Sequence, residues 1–438
     1  MGYLLNTELQ QIEMLKVLEL SSVKDVHKDL PSSLLLEDGP NIPYSMSEQE
    51  ILESFEKFAA KNTVFPSIFR GAGAYKHFIP SIVPEMVNKE RFKTGYTPYQ
   101  AEVSQGTLQS TYEFQTMICE LTGMDISNAS MYDGASAAAE AVAMCKERRR
   151  KTALVSASVN PRTLEVIQTY SWAADSPVEV VPTKNGVIDI QALEKMITEE
   201  TASITIQQPN YFGLLEDAEK IIEIAHKNDV KVVMSVNPLA LSVLQTPGEI
   251  DADIAVGEGQ PLGIPMSFGG PYLGFLAAKG DLARKIPGRI AGETTDSQGR
   301  RAYVLTLQAR EQHIRRETAS SNICSNQALM TIAASVYMSA MGPEGVKDAA
   351  MLSYNKAHYL AEELSKVKGF NLRYDSNFFH EFVTECPVEP MKLLKHLENN
   401  GILGGMPLKD GGILWCATEM NKKEHIDRLV ALCKEVAE

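Results

Sequence analysis

DIAVGEGQPLGIPMSFGGPYLG, residues 253–274, is the stretch from which the fold can be read. It opens as a short apolar run of strand character, breaks at Gly257 and Gly259, and carries a single amide at Gln260. A Gly/Pro-rich segment then leads into a second apolar run, Phe275–Ala278. Such a passage of strand, turn, loop and strand sets the polar residue after the turn at the end of a sheet strand. Gln260 is that residue.

Upstream the same pattern repeats. From Thr152 to Val256 the strand-like runs ALVSAS, VEVVPT, SITIQQP, KVVMSVNP and DIAVG alternate with helix-like runs through Val166, through Met196 and from Glu216 to His226. This alternation predicts a mostly parallel sheet covered by helices. Ligands on such sheets lie at the carboxyl ends of the strands, where Asn160, Gln208, Asn210, Asn237 and Gln260 fall.

With 438 residues, 44% of them apolar, the chain is too long for one ordinary core, so a major domain and a smaller one are expected. Its 42 basic and 56 acidic residues give a net charge of −14, which argues against a nucleic-acid partner and fits meetings with proteins or small molecules. The six cysteines (119, 145, 324, 386, 416 and 433) form no CxxC pair and no zinc-like spacing with histidine. No metal site is expected, and a reducing, cytoplasmic compartment is the simplest reading. The N-terminal segment lacks a basic-then-apolar signal pattern, and no apolar run is long enough for a bilayer, so neither export nor membrane insertion is expected.

In chain order, helical periodicity over Leu9–Leu18 and a second helix opened by SMSE (45–48) make an N-terminal arm. SIFRGAGAYKHFIPSIVP (67–84) is a Gly-containing loop with Tyr75, His77 and Phe78, either near a site or a surface turn with tucked aromatics. GYTPYQAEVSQG (95–106) follows, where Pro98 stops a helix. Its Tyr96, Tyr99, Gln100, Glu102, Ser104 and Gln105 are dense in hydrogen-bonding groups, and the residues alone leave open a site wall or a well-satisfied turn. A periodic helix over Leu108–Leu121 comes next. The helix of small residues from Gly134 suits a phosphate at its N-terminus or, equally, close helix packing. Arg310, His313, Arg315 and Arg316 precede a polar turn containing Asn322 and Cys324; they form a solvated face or an oxyanion clamp. After MGPEG (341–345), helices from Ala349 to Lys366 and from Pro390 to Asn399 and the strand-like FNLRYD, HEFVTEC and GILWCATE make a small α/β unit.

That unit resembles the C-terminal domain of aminotransferase-type enzymes, and against pyridoxal-phosphate-dependent enzymes two positions stand out as absences. Gln260 stands where such an enzyme carries its cofactor lysine, and an amide nitrogen cannot form a Schiff base. Asn237 ends the strand that normally finishes in an Asp holding the pyridine nitrogen protonated.

YTPYQAEVSQG (96–106), NASMYDGASAAAEA (128–141), DIAVGEGQPLGIPMSFGGP (253–271) and QAREQHIRRETASSNICSNQAL (308–329) together resemble the N-terminal half of the glycine decarboxylase (P-protein) family of the glycine cleavage system, from about residue 60 to the end. The resemblance implies an α/β, aminotransferase-like fold, fold type I of the pyridoxal-phosphate-dependent transferases. It has a mostly parallel central sheet, an arm at 1–65, a large domain at 66–340 and a small α/β domain at 341–438. It implies a separate alpha subunit that binds no cofactor alone and pairs with a beta subunit carrying pyridoxal phosphate, as an alpha2beta2 heterotetramer. The implied reaction, glycine dehydrogenase (aminomethyl-transferring), decarboxylates glycine and passes the aminomethyl group to the lipoyl arm of the H protein. Tyr96, Tyr99, Gln100, Glu102, Ser104 and Gln105 are the implied wall of the site, with Arg315, Arg316, Asn322 and Cys324 at the substrate or the interface. The alternative is a non-catalytic structural or regulatory partner of a pyridoxal enzyme.

Overall fold

Thr7 and Ser47 each start a helix of the arm in the same way. The Thr7 hydroxyl accepts from the backbone of Gln10 while the Gln10 side chain accepts from Thr7 N, and Ser47 does the same with Glu50, so two otherwise unpaired N–H groups are satisfied at each start. The helices, Glu8–Val17 and Glu48–Ala59, bury none of their side chains. The computed structural model describes residues 5–36, 40–93, 95 and 97–437. Its contacts divide the chain into Met1–Val64 and Phe65–Glu438.

The second unit is built on a seven-stranded sheet of β1 (Ile126–Ser127), β2 (Thr152–Ser156), β3 (Val178–Val181), β4 (Thr201–Gln208), β5 (Lys231–Val236), β6 (Ile254–Glu258) and β7 (Gly274–Ala278). Their order is β1-β7-β6-β5-β4-β2-β3. All neighbours from β6 to β3 pair in parallel, and only β7 runs against both of its neighbours. The central strands β2, β4, β5, β6 and β7 are buried on both faces because helices cover both, whereas the edge strand β3 exposes Glu179 and Val180. Leu154, Ile204, Val232, Met234 and Ala255 enter one core, while their chain neighbours Val155, Val233, Ile254 and Val256 enter another.

The helix Gly134–Cys145 lies against β6 so closely that a Cβ on Gly134 would stand 2.8 Å from Glu258 N. A Cβ on Gly257 would fall 2.3 Å from the Phe275 ring and 2.4 Å from Val236 O. Gly134 therefore lets helix and sheet meet at the end of β6, Gly257 makes room for Phe275 and the end of β5, and small residues along the helix (Ala137, Ala138, Ala141) keep the helix–sheet spacing.

MGPEG makes no loop. Helix Ala328–Ser365 passes through it with one break at Gly342 (φ 63°, ψ 174°), and Pro343, which lacks an N–H, occupies the first turn of the continuation. The small sheet orders Glu381–Thr384, Ile413–Cys416 and Met406–Pro407, all antiparallel, around Trp415, Phe370, Phe382 and Leu360. FNLRYD contributes a single bridge, Leu372 to Thr384, rather than a strand. Among the described residues no helix is long and apolar enough to cross a membrane.

Candidate functional site

At the carboxyl ends of β2, β4, β5 and β6 lies a cleft of about 320 Å³, lined among others by Ala72–Tyr75, Gly134, Asn160, Gln207, Asn237, Glu258, His380 and Glu381. Of the five amides expected at strand ends, Asn160 and Asn237 line it. Gln208 and Asn210 instead hold a loop: Gln208 Oε1 accepts from Glu216 N at 2.9 Å, and Asn210 Nδ2 donates to Gly186 O and to Glu216 Oε1. Gln207, the next side chain along β4, takes the place at the cleft.

Gln260 is 2% exposed and fully engaged. Its Nε2 donates to Tyr75 O at 2.9 Å and to Ile264 O at 2.7 Å, and its Oε1 accepts from Tyr75 N at 2.9 Å. The amide thus stitches the 71–75 loop to the turn after β6. Asn237 Oδ1 accepts from Leu239 N and Ala240 N, capping its own turn. The Glu258 carboxylate accepts from Gly134 N at 3.0 Å, Gln260 N at 3.1 Å and Leu273 N at 3.0 Å. Burial pushes the Glu258 carboxyl up to about 7 in spite of those donors. Across the cleft Glu381 accepts from Ala72 N and from the Tyr75 hydroxyl, both at 2.7 Å, and burial pushes it too up to about 7. His380, 2% exposed, has neither ring nitrogen hydrogen-bonded, and burial pulls it down to about 3.

These residues do not fit pyridoxal phosphate. The position for an amine holds a tied amide, the strand-end acid is an asparagine already spent on backbone, and the helix end that suits a phosphate is taken by a carboxylate.

A second cleft, of about 460 Å³, is lined by Tyr99, Arg289, Glu311, Gln312, His313, Arg316, Glu317, Ile323 and Cys324. Arg289, 5% exposed, donates through Nη2 to the Tyr99 hydroxyl at 3.1 Å, and its guanidinium lies 5.2 Å from the Tyr99 ring centre. The His313 ring meets the same tyrosine edge-on at 6.0 Å. Arg289 Nε and Glu311 Oε1 are buried without a hydrogen-bond partner. Arg310 fixes the wall behind them by donating to Ile286 O and, at 2.6 Å, to Gly288 O.

The sequence model described as glycine cleavage system P-protein matches residues 1–433. The chain belongs to this P-protein family. It is 47% identical to the probable glycine dehydrogenase (decarboxylating) subunit 1 of Desulfitobacterium hafniense, with 100% of each chain covered. A crystal structure of glycine decarboxylase (P-protein) of the glycine cleavage system in inhibitor-bound form matches with a TM-score of 0.91 at 39% identity, again over 100% of both chains. A C-DES mutant with glycine covalently linked to its pyridoxal phosphate cofactor matches in fold, with a TM-score of 0.64 at 13% identity over 86% of this chain and 97% of the other. The architecture is fold type I of the pyridoxal-phosphate-dependent enzymes.

Within this P-protein chain, the residues singled out from the sequence scatter in a definite way. Tyr99, Arg316 and Cys324 come together in the second cleft. Asn322 lines an adjoining cleft of about 620 Å³, which shares Gln312, Arg316 and Glu317 with it. Arg315 lines neither and donates to Ala309 O. Gln100 and Glu102 are exposed, and Ser104 stands at the start of the helix Gln105–Thr122. Gln105 spends its amide on backbone, donating to Ala101 O and Tyr303 O and accepting from Tyr303 N. Tyr96 lies outside the described residues. Sequence reasoning missed Arg289 and Glu258. Arg289 sits alone before an apolar run and gives little signal, whereas an acid between the two glycines of GEGQ, at a strand end, was visible.

Proposed function

We propose that this chain is the alpha subunit of glycine decarboxylase in the glycine cleavage system. It pairs with a beta subunit that carries pyridoxal phosphate, and the pair decarboxylates glycine and transfers the aminomethyl group to the lipoyl arm of the H protein in the cytoplasm. The observation that carries this reading is Gln260, an amide locked by three hydrogen bonds at the cofactor-lysine position of a chain whose full-length relative is named subunit 1. Such a chain has no amine to hold the cofactor and needs a partner that has one. Its own contribution is the cleft around Tyr99. Arg289 holds the tyrosine hydroxyl, the His313 ring braces its edge, and the orphaned Arg289 donor and Glu311 acceptor await a polar group from substrate or partner. The proposed assembly is an alpha2beta2 heterotetramer.

The test is reconstitution with a purified pyridoxal-phosphate-carrying P-protein subunit and lipoylated H protein, followed by exchange of labelled bicarbonate into the carboxyl group of glycine. Exchange is expected only with both subunits present. Equal exchange when this chain is left out, or full exchange by this chain alone, would sink the proposal.

A further inference from the structure

The first cleft is closed to a cofactor in a way that Gln260 does not explain. Three backbone N–H groups converge on one point at its floor: Gly134, the first residue of a twelve-residue helix, Gln260 and Leu273. Converging N–H groups with a helix N-terminus among them make a cradle for an oxyanion. Here the oxyanion comes from the chain itself. Both Glu258 oxygens are seated on these donors at 3.0 to 3.1 Å, and the residue is held there by β6, with Gly134 lacking the Cβ that would strike the Glu258 backbone so that helix and strand close around it. A second observation marks the cleft as built for a polar occupant. The His380 imidazole lines it, 2% exposed, with neither nitrogen bonded.

We propose that Glu258 is a built-in anion filling an intact phosphate-binding cradle, and that this carboxylate, rather than the lost lysine, keeps phosphorylated cofactor out of this chain. The ligand class of the uncovered site is inorganic phosphate or a phosphate monoester. In an assembly with a cofactor-carrying partner such a plug directs the cofactor to a single cleft. The inference concerns this chain alone and holds whether or not it serves glycine decarboxylation.

The experiment uses the full purified chain, with inorganic phosphate, pyridoxal 5′-phosphate and unphosphorylated pyridoxal as probes in calorimetric titration and thermal-shift assays. The wild type and Gln260→Lys are expected to bind no phosphate saturably. Glu258→Ala and Glu258→Ser, which empty the cradle, are expected to bind inorganic phosphate and pyridoxal 5′-phosphate on the order of 100-fold more tightly than wild type, the scale of freeing backbone N–H donors for a charged acceptor. Pyridoxal, lacking the phosphate, should gain nothing. Glu258→Gln, which keeps the cradle filled, should bind as poorly as wild type. Phosphate binding by the wild type equal to that of Glu258→Ala, or admission of phosphate by Gln260→Lys alone, would overturn the proposal. So would Ala and Ser variants that melt cooperatively yet bind no phosphate. Failure of both to fold would show that Glu258 holds the structure instead of standing in for a ligand, which also overturns it.

Discussion

Replacing Gln260 by lysine restores the side chain that a cofactor enzyme needs, yet the structure predicts damage. The amide accepts from Tyr75 N and donates to Tyr75 O and Ile264 O in a site 2% exposed. An introduced ammonium donates to the two carbonyls but accepts nothing, so Tyr75 N–H loses this partner at about 1–3 kcal/mol. The new charge is buried beside Glu258, whose carboxylate already serves three backbone donors. Desolvation therefore drives the lysine pKa below its usual value of about 10.4. With the cost of the buried charge added, a total loss of about 3–5 kcal/mol follows, the range for a buried charge left without full compensation. Unfolding of wild type and Gln260→Lys by urea measures it.

The sign of the pH dependence is a separate check. The unfolded chain holds the lysine proton up to about 10.4 and the folded one releases it earlier, so between the two values the unfolded state binds more protons and stability rises with pH. The deficit of Gln260→Lys should shrink as pH is raised from about 7 towards 10. Borohydride reduction after incubation with pyridoxal phosphate should leave no stoichiometric adduct, and adding Asn237→Asp should not create glycine-dependent CO2 release in this chain alone. A variant as stable as wild type with one equivalent of cofactor fixed at position 260 would refute the reasoning.

In the reconstituted enzyme, Tyr99→Phe removes the hydroxyl that accepts from Arg289 while the guanidinium still packs on the ring. Bicarbonate exchange should fall ~10-fold with subunit association unchanged in sedimentation, and unchanged exchange would leave Tyr99 as scaffold. Glu381, held at about 7 when folded against about 4.3 unfolded, gives stability that is complete below about 4.3 and lost as pH rises through 7. Glu381→Gln should therefore flatten the stability profile relative to wild type by up to about 1.4 kcal/mol per pH unit in that window, read by urea unfolding at several pH values; parallel profiles would count against it.

The sheet was legible because its information is local. The runs that became β2, β4, β5 and β6 are β-branched and apolar, and both side-chain directions are buried, so every strand announces itself without reference to its neighbours. FNLRYD has the same flavour but lies along the outer edge of Glu381–Thr384, where it makes a single bridge at Leu372; Met406–Pro407 pairs at the opposite edge of the small sheet. MGPEG, after which the sequence places the small unit, is a break inside a long helical run. Gly342 and Pro343 also suit one abrupt break between helices, and burial of Tyr337 before it and Val346 and Ala350 after it keeps both helices anchored with no loop between.

Site chemistry was legible only where it shows as an absence at a fixed place in a local pattern, as at Gln260 and Asn237. What those residues do instead depends on partners far along the chain. Gln260 is 185 residues from the backbone it binds, and Tyr99 is 190 from Arg289. Glu258 makes the point most clearly. In sequence it is one acid between two glycines, the composition of a solvated turn, and its meaning arises only when a helix beginning 124 residues earlier delivers Gly134 N to its carboxylate. A carboxylate and a phosphate ask the same thing of a helix end, so the residues that build the cradle read identically whether the anion arrives as a ligand or is supplied by the chain. The helix of small residues is compatible with both readings, and the structure shows it packed closely on β6 with the Glu258 carboxylate at its first N–H. Only the fold shows that its occupant is internal, and this distinction separates a chain that lost one lysine from a chain whose cleft has been rebuilt to stay shut.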